Sequence, residues 1–286
     1  MENIEQNLGY EPMNPRDKQF EAVGPTPDNP PWNSWVAVGI WILSVFLIVT
    51  VPSLFLLPYA MSQVPPITET PALVEFAKND PTAIILQILA IIPAHILTLL
   101  IAWLVVTRFR TYSFRETLGW KSGGMVWWHY AAILISFAAV AVVVGSISPE
   151  QENDLIRMLR SSRSAVYIVA FLATFTAPIV EEVIYRGVLY SAFQRKVGVS
   201  GAFMIVTLMF AIVHVPQYYP SYSTIFLLGL LSVILTAMRV WSKNLLPCII
   251  LHTLFNGIQS IFLILGTMSG DLDMPPDPGV LVQFLK

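Results

Sequence analysis

"APIVEEVIYRGVLY", residues 177–190, places two adjacent carboxylates and a guanidinium inside a long apolar run. Charges at membrane depth are costly and usually mark function. Glu182 and Arg186 are four residues apart, so on a helix they share a face and can pair. Such a pair has a plain structural use, pinning two helices together. Glu181 is different. It points about 100° away from Glu182 around the helix and lies five residues from Arg186. It has no partner within its own helix and needs one from another.

The rest of the chain decides what surrounds these charges. Of 286 residues, 55% are hydrophobic and only 12% are charged. That is about half the charged fraction of an ordinary soluble domain. The apolar residues cluster in runs of about 20, the length of a transmembrane helix. The expected fold is therefore all-α, a polytopic membrane helix bundle of seven or eight spans. The seven clearest are 35–60, 82–106, 126–147, 164–193, 201–216, 223–240 and 244–266. A formal net charge of −2 gives no basic surface for nucleic acid. The lone cysteine, Cys248, excludes an intrachain disulfide. Residues 1–33 are polar and proline-rich, lack the pattern of a signal peptide, and read as a disordered tail. Four segments follow from this: the tail 1–33, N-terminal transmembrane helices 34–114, a core 115–266, and a C-terminal tail 267–286.

Orientation comes from the linkers. "RFRTYSFRETLGWKSGG" carries Arg108, Arg110, Arg115 and Lys121, which places it in the cytoplasm. Alternation then puts the N-terminus inside, together with Arg195, Lys196, Arg239 and Lys243. One linker, "SPEQENDLIRMLRSSRS", disagrees: it falls outside yet holds Arg157, Arg160 and Arg163. Its Leu155, Ile156 and Leu159 recur at helical spacing, the pattern of an amphipathic surface helix.

Within the spans, the four histidines are His95, His129, His214 and His252. His95, after Pro93, and His129, in an interfacial "WWHY", read as structural. His214 ends the fifth span, and His252 lies in the seventh with Asn256 four residues on, on the same face. Counted from the cytoplasmic ends, Glu181 and His214 both lie roughly 20 Å deep, His252 about 12 Å and Asn256 about 18 Å. Four unusual polar residues from three helices thus fall within one or two helical turns of depth. Convergence of that kind is how a bundle builds an internal site.

The chemistry of such a cluster is definite. A carboxylate and an imidazole from separate helices can hold a water and take its proton. An imidazole and an amide on a third helix can donate to a developing oxyanion. The set fits attack of activated water on a carbonyl, which is peptide hydrolysis within the membrane. There is no GxSxG serine and no HExxH zinc signature. Cys248 lacks an evident base.

The stretches "EEVIYR", "FAIVH" and "HTLFN" match, in order, the EExxxR, FxxxH and HxxxN motifs of the CPBP family of CAAX-processing and bacteriocin-processing intramembrane proteases. "FRETLGW" also resembles the segment ahead of that domain, so the likeness runs over roughly residues 115–265. The resemblance implies Glu181 and His214 for water activation and Glu182 with Arg186 as the supporting ion pair. It implies His252 and Asn256 as oxyanion donors and Phe210 as a packing residue. No cofactor is expected. The alternative is zinc held by Glu181, His214 and His252. Expected partners are membrane lipids and a membrane-anchored or prenylated peptide or protein, with no nucleic acid. The expected location is the cell membrane, as a multi-pass protein. Two other functions compete: a catalytically silent scaffold or bacteriocin-immunity protein on the same fold, and a small proton-coupled transporter. The transporter predicts inverted repeats, and none is visible.

Overall fold

In the structure, a computed structural model, residues 24–269 are described; residues 1–23 and 270–286, with most of the expected C-terminal tail, lie outside. The chain is helical almost throughout. The first helix, α1, is Ser34–Met61, capped by the Asn33 side chain on the Val36 amide at 3.0 Å. A short α2, Thr70–Asn79, precedes α3, Pro81–Leu89, and α4, Ile91–Val106. Asp80 caps α3 on the Ala83 amide, and Pro81 sits at the first position, where its missing N–H costs nothing. Then come α5, Phe114–Leu118, and α6, Trp127–Ile147. The arginine-bearing linker forms a short helix, α7, Asp154–Leu159.

From Arg163 the chain is helical for 56 residues. It starts as α8, Arg163–Phe171, passes through a π-helical turn at Leu172–Thr176, and continues as α9, Ala177–Glu182. A second π segment, Val183–Leu189, leads into α10, Tyr190–Tyr218. Within α10, Gly198 adopts φ 75°, ψ 174°, a left-handed conformation that a side chain would resist. The run folds back there. Tyr185 and Phe210, about 37 Å apart on a straight helix, have ring centroids 5.1 Å apart. The chain ends with α11, Tyr222–Ser242, and α12, Leu246–Ser269.

Among the described residues, six helical runs are long and apolar enough to cross a membrane. Seven or eight were expected. The difference falls on residues 163–218, where the expected spans 164–193 and 201–216 belong to one run bent at Gly198.

Two ends of the bundle can be told apart by what gathers there. At one end, Arg239 donates to the Pro27 carbonyl at 2.7 Å and to Asp28 at 3.1 Å. Arg195 donates to the Pro30 carbonyl. The Trp32 indole donates to the Val188 carbonyl at 3.0 Å, and the Leu245 amide to the Gly119 carbonyl at 2.9 Å. A Cβ on Gly119 would stand 2.7 Å from the Asn244 amide oxygen and 2.8 Å from Pro27, so only glycine allows this approach. We call this the arginine-rich face. At the other end, Lys78 of α2 pairs with Asp154 at 3.8 Å, the Gln151 amide reaches Ser221, and Thr224 donates to Glu150 at 3.1 Å.

One expectation is corrected here. The last ten residues of the segment expected to be a disordered tail, 24–33, are ordered. Trp32 is buried in the main core with Ala37, Val183, Ile184 and Val188. An indole of that size, together with two arginines that bond its backbone neighbours, supplies what the proline-rich composition hides. The same core joins α1 and α4 to the second π segment, so residues 34–114 and 115–266 share one interior.

Candidate active site

Pro178 explains how the glutamates are presented. It has no N–H for the carbonyl of Thr174, so the helix cannot run on regularly through this point. In the π turn just before it, the Ala177 amide bonds back to Leu172 rather than to Ala173. The freed Ala173 carbonyl is taken by the Asn256 amide nitrogen at 2.8 Å. π turns shift register locally and recur at functional sites. Here two of them flank the six residues that carry Glu181 and Glu182.

Glu182 and Arg186 are fully buried and paired at 2.9 Å. The guanidinium also donates to the Ser232 hydroxyl at 2.9 Å and the Ser232 carbonyl at 3.0 Å, and contacts the Thr236 hydroxyl. Its carbon stands 4.7 Å over the Phe210 ring. Two charges buried together are tolerated because nearly every polar edge has a partner. The carboxylate oxygen that meets Arg186 also accepts from His252 Nδ1 at 2.9 Å. The opposite ring nitrogen, Nε2, lies 3.8 Å from Glu181. His252 thus stands between the two glutamates.

Glu181 turns away from this network. Its side chain is 23% exposed and lines a cavity of about 340 Å³. His214, on the far arm of α10, lines the same cavity. Its Nδ1 donates to the Phe210 carbonyl at 2.7 Å, since a carbonyl only accepts. That fixes Nε2 as the nitrogen with the free lone pair. Phe210 packs between the parts, its centroid 4.6 Å from His214 and 6.1 Å from His252. The structure therefore brings Glu181, Glu182, Arg186, Phe210, His214 and His252 into one cluster. Asn256 is placed one turn further along α12, against the π turn. His252 and Asn256 do not line the cavity.

His95, expected to be structural, and Tyr185, not singled out from the sequence, also line it. His95 Nδ1 is 2.9 Å from the Thr176 hydroxyl, whose own hydrogen goes to the Leu172 carbonyl. The hydroxyl must then accept, so His95 carries its proton on Nδ1 and keeps a lone pair on Nε2. The one signal for it was depth: His95 lies 11 residues from the cytoplasmic end of its expected span, about 17 Å. Tyr185 accepts the Trp41 indole N–H at 3.1 Å.

The zinc alternative would need Glu181, His214 and His252 as its ligands. Among the described residues, no group of three His, Cys, Asp or Glu side chains is arranged to hold a metal ion. His252 Nδ1 donates to Glu182, which leaves Nε2 as the free ring nitrogen on the Glu181 side.

Residues 163–258 match the family model described as type II CAAX prenyl endopeptidase, Rce1-like. The match runs from α8 into α12 and contains every motif residue named above. It supports the likeness to the CPBP proteases over that stretch, and that family is one of CAAX-type intramembrane proteases. With six apolar runs beside it, the chain is a multi-pass membrane protein. No curated protein and no solved structure matches the chain.

Proposed function

We propose that this chain is an intramembrane endopeptidase of the cell membrane, crossing it seven times, that cleaves a membrane-anchored or prenylated peptide with a glutamate-activated water. The observation that carries the reading is the shared cavity of Glu181 and His214, a carboxylate and an imidazole lone pair facing one space with apolar walls. The water's two hydrogens are accepted by Glu181 and by His214 Nε2. Its oxygen attacks the scissile carbonyl carbon, and the proton passes to Glu181. The carbonyl oxygen becomes an oxyanion. When the C–N bond breaks, Glu181 returns its proton to the leaving amine. Low polarity around the site strengthens each of these interactions.

Glu182 and Arg186 hold His252, and with it α12, against the helix bearing Glu181. His252 and Asn256 are the proposed oxyanion donors; neither lines the cavity, so this role requires each to turn toward a bound carbonyl. An amide nitrogen carries a second hydrogen beyond the one given to Ala173, and His252 Nε2 donates in the imidazolium form. The commitment of Asn256 to a backbone carbonyl favours a second reading, a silent scaffold on the same fold.

One comparison separates the two. Membrane peptides are quantified in cells making the parent chain or Glu181→Gln, which keeps the shape and loses the base. The endopeptidase reading requires a set of cleavage products that disappears with the substitution. Identical peptide profiles from two well-folded proteins would overturn the endopeptidase reading.

A further inference from the structure

The four-residue spacing that pairs Glu182 with Arg186 also puts Tyr185 on the face of Glu181, about 100° around the helix from the ion pair. Glu181 and Tyr185 both line the cavity. The Tyr185 ring is held at its side and at its tip. Phe210 stands edge-on to it at 5.1 Å, and the same Phe210 packs 4.6 Å from His214. At the tip, the hydroxyl reaches α1 and accepts the Trp41 indole N–H at 3.1 Å. Trp41 is fixed in turn by the Ser44 hydroxyl, which donates to its carbonyl at 2.7 Å.

The hydrogens of this wall can be accounted for one by one. Ser44 gives its hydrogen to the Trp41 carbonyl. His95 gives its Nδ1 hydrogen to Thr176, and His214 gives its own to the Phe210 carbonyl. Glu181, ionised, has none to give. Gln217 has two, but it is exposed near the end of α10. Tyr185 remains. An indole nitrogen only donates, so the Tyr185 oxygen is the acceptor in its bond to Trp41, and its own hydrogen is uncommitted among the described residues. Tyr185 is 6% exposed, so this hydrogen has little water to turn to. A phenylalanine would pack as well against Phe210. The hydroxyl adds a donor, and accepting from the indole polarises that donor and strengthens it.

We infer that the Tyr185 hydroxyl is a catalytic hydrogen-bond donor to the scissile carbonyl and supports the oxyanion formed when the Glu181-activated water attacks. This rests on the endopeptidase reading. Tyr185 keeps its proton throughout. Its hydrogen bond strengthens as charge collects on the carbonyl oxygen, while the water's proton goes to Glu181 and then to the leaving amine. His252 and Asn256 must turn to reach that oxygen; Tyr185 already stands in the cavity wall, fixed by Trp41 and Phe210 before substrate arrives.

The competing view is that the hydroxyl only ties α1 to the second π segment. Two substitutions break that tie from opposite ends. Tyr185→Phe removes the hydroxyl; Trp41→Phe removes the indole and leaves the hydroxyl in place. Both should melt below the parent. The substrate is a synthetic peptide spanning a cleavage site that the comparison of parent and Glu181→Gln cells identifies, assayed with purified full-length protein below the lowest melting temperature. Tyr185→Phe should lower kcat by roughly 10²-fold with KM within about threefold, and Trp41→Phe should keep kcat within about fivefold. A phosphinic analogue of the same peptide carries the tetrahedral oxyanion. Its inhibition constant should rise in Tyr185→Phe by the factor that kcat/KM falls, and stay near the parental value in Trp41→Phe. Equal kinetic losses in the two variants overturn the proposal, and so does a loss in Tyr185→Phe that appears only in KM or leaves the analogue's inhibition unchanged. Glu181→Gln separates the two readings. If it is silent while Tyr185→Phe cleaves at the parental rate, only the role of Tyr185 fails. If it cleaves like the parent, the endopeptidase reading fails and the role of Tyr185 falls with it.

Discussion

His252 Nδ1 and Arg186 Nη1 both donate, at 2.9 Å, to the same oxygen of Glu182. One buried carboxylate therefore ties together α12, the second π segment and, through Ser232 and Thr236, α11. Replacing Glu182 by Ala leaves a guanidinium buried beside an unpaired imidazole. The expected loss is roughly 3–5 kcal/mol of stability. Thermal unfolding in one fixed detergent checks this, and a melting temperature equal to the parent's would show that the network carries no weight.

Glu181 makes the opposite prediction. It faces the cavity, and the ring nitrogen Nε2 of His252 stands beyond hydrogen-bonding distance from it, at 3.8 Å. Glu181→Gln should melt close to the parent and lose cleavage by about 10²–10⁴-fold. A variant that cleaves at the parental rate removes Glu181 from the mechanism.

Asn256 has two expected effects. Loss of its bond to Ala173 leaves a carbonyl freed by the π turn without its partner, costing about 1–3 kcal/mol. Loss of the second amide hydrogen from the oxyanion should lower kcat by roughly 10²-fold with little change in KM. Asn256→Ala is measured for melting, kcat and KM on one preparation. A stability loss with an unchanged kcat would confine the residue to holding the π turn.

Trp32 tests the ordered end of the N-terminal segment. Trp32→Phe keeps most of the packing and drops the bond to Val188, for about 1 kcal/mol. Trp32→Ala opens the core against α1 and should cost roughly 3–5 kcal/mol. Equal melting of all three proteins would mean that residues 24–33 do not hold the bundle.

Much of the architecture was legible because apolar run length is a strong signal. The expected spans 35–60, 126–147, 223–240 and 244–266 differ from Ser34–Met61, Trp127–Ile147, Tyr222–Ser242 and Leu246–Ser269 by a few residues at their ends. The depth count was also sound in principle, since His252 does meet both glutamates. What stayed hidden depends on three-dimensional partners. Asn256 meets Ala173 only because Pro178 displaces a hydrogen bond in another helix. Trp32 is held by Val188, 156 residues away. His95 has no motif neighbour, so nothing in its own helix distinguishes a cavity wall from a packing site.

His95 gives the most discriminating test, because its two nitrogens do different things. Nδ1 donates to Thr176 and ties α4 to the π turn below Glu181. Nε2 is the acceptor on the other side of the ring, in a residue that lines the cavity. Asparagine places its amide nitrogen near the position of Nδ1 and has nothing at Nε2. Glutamine reaches the position of Nε2 and abandons Nδ1. His95→Asn should therefore melt within about 1 kcal/mol of the parent, whereas His95→Gln should lose about 1 kcal/mol or more through the unsatisfied Thr176 hydroxyl. Activity should follow the other nitrogen. A peptide entering an apolar cavity must have its backbone N–H groups accepted, and the Nε2 lone pair is placed to take one. His95→Asn should raise KM by about tenfold and leave kcat within a few-fold, while His95→Gln keeps KM nearer the parent. If KM instead follows melting, rising in His95→Gln and not in His95→Asn, then His95 serves only to hold α4 against the π turn.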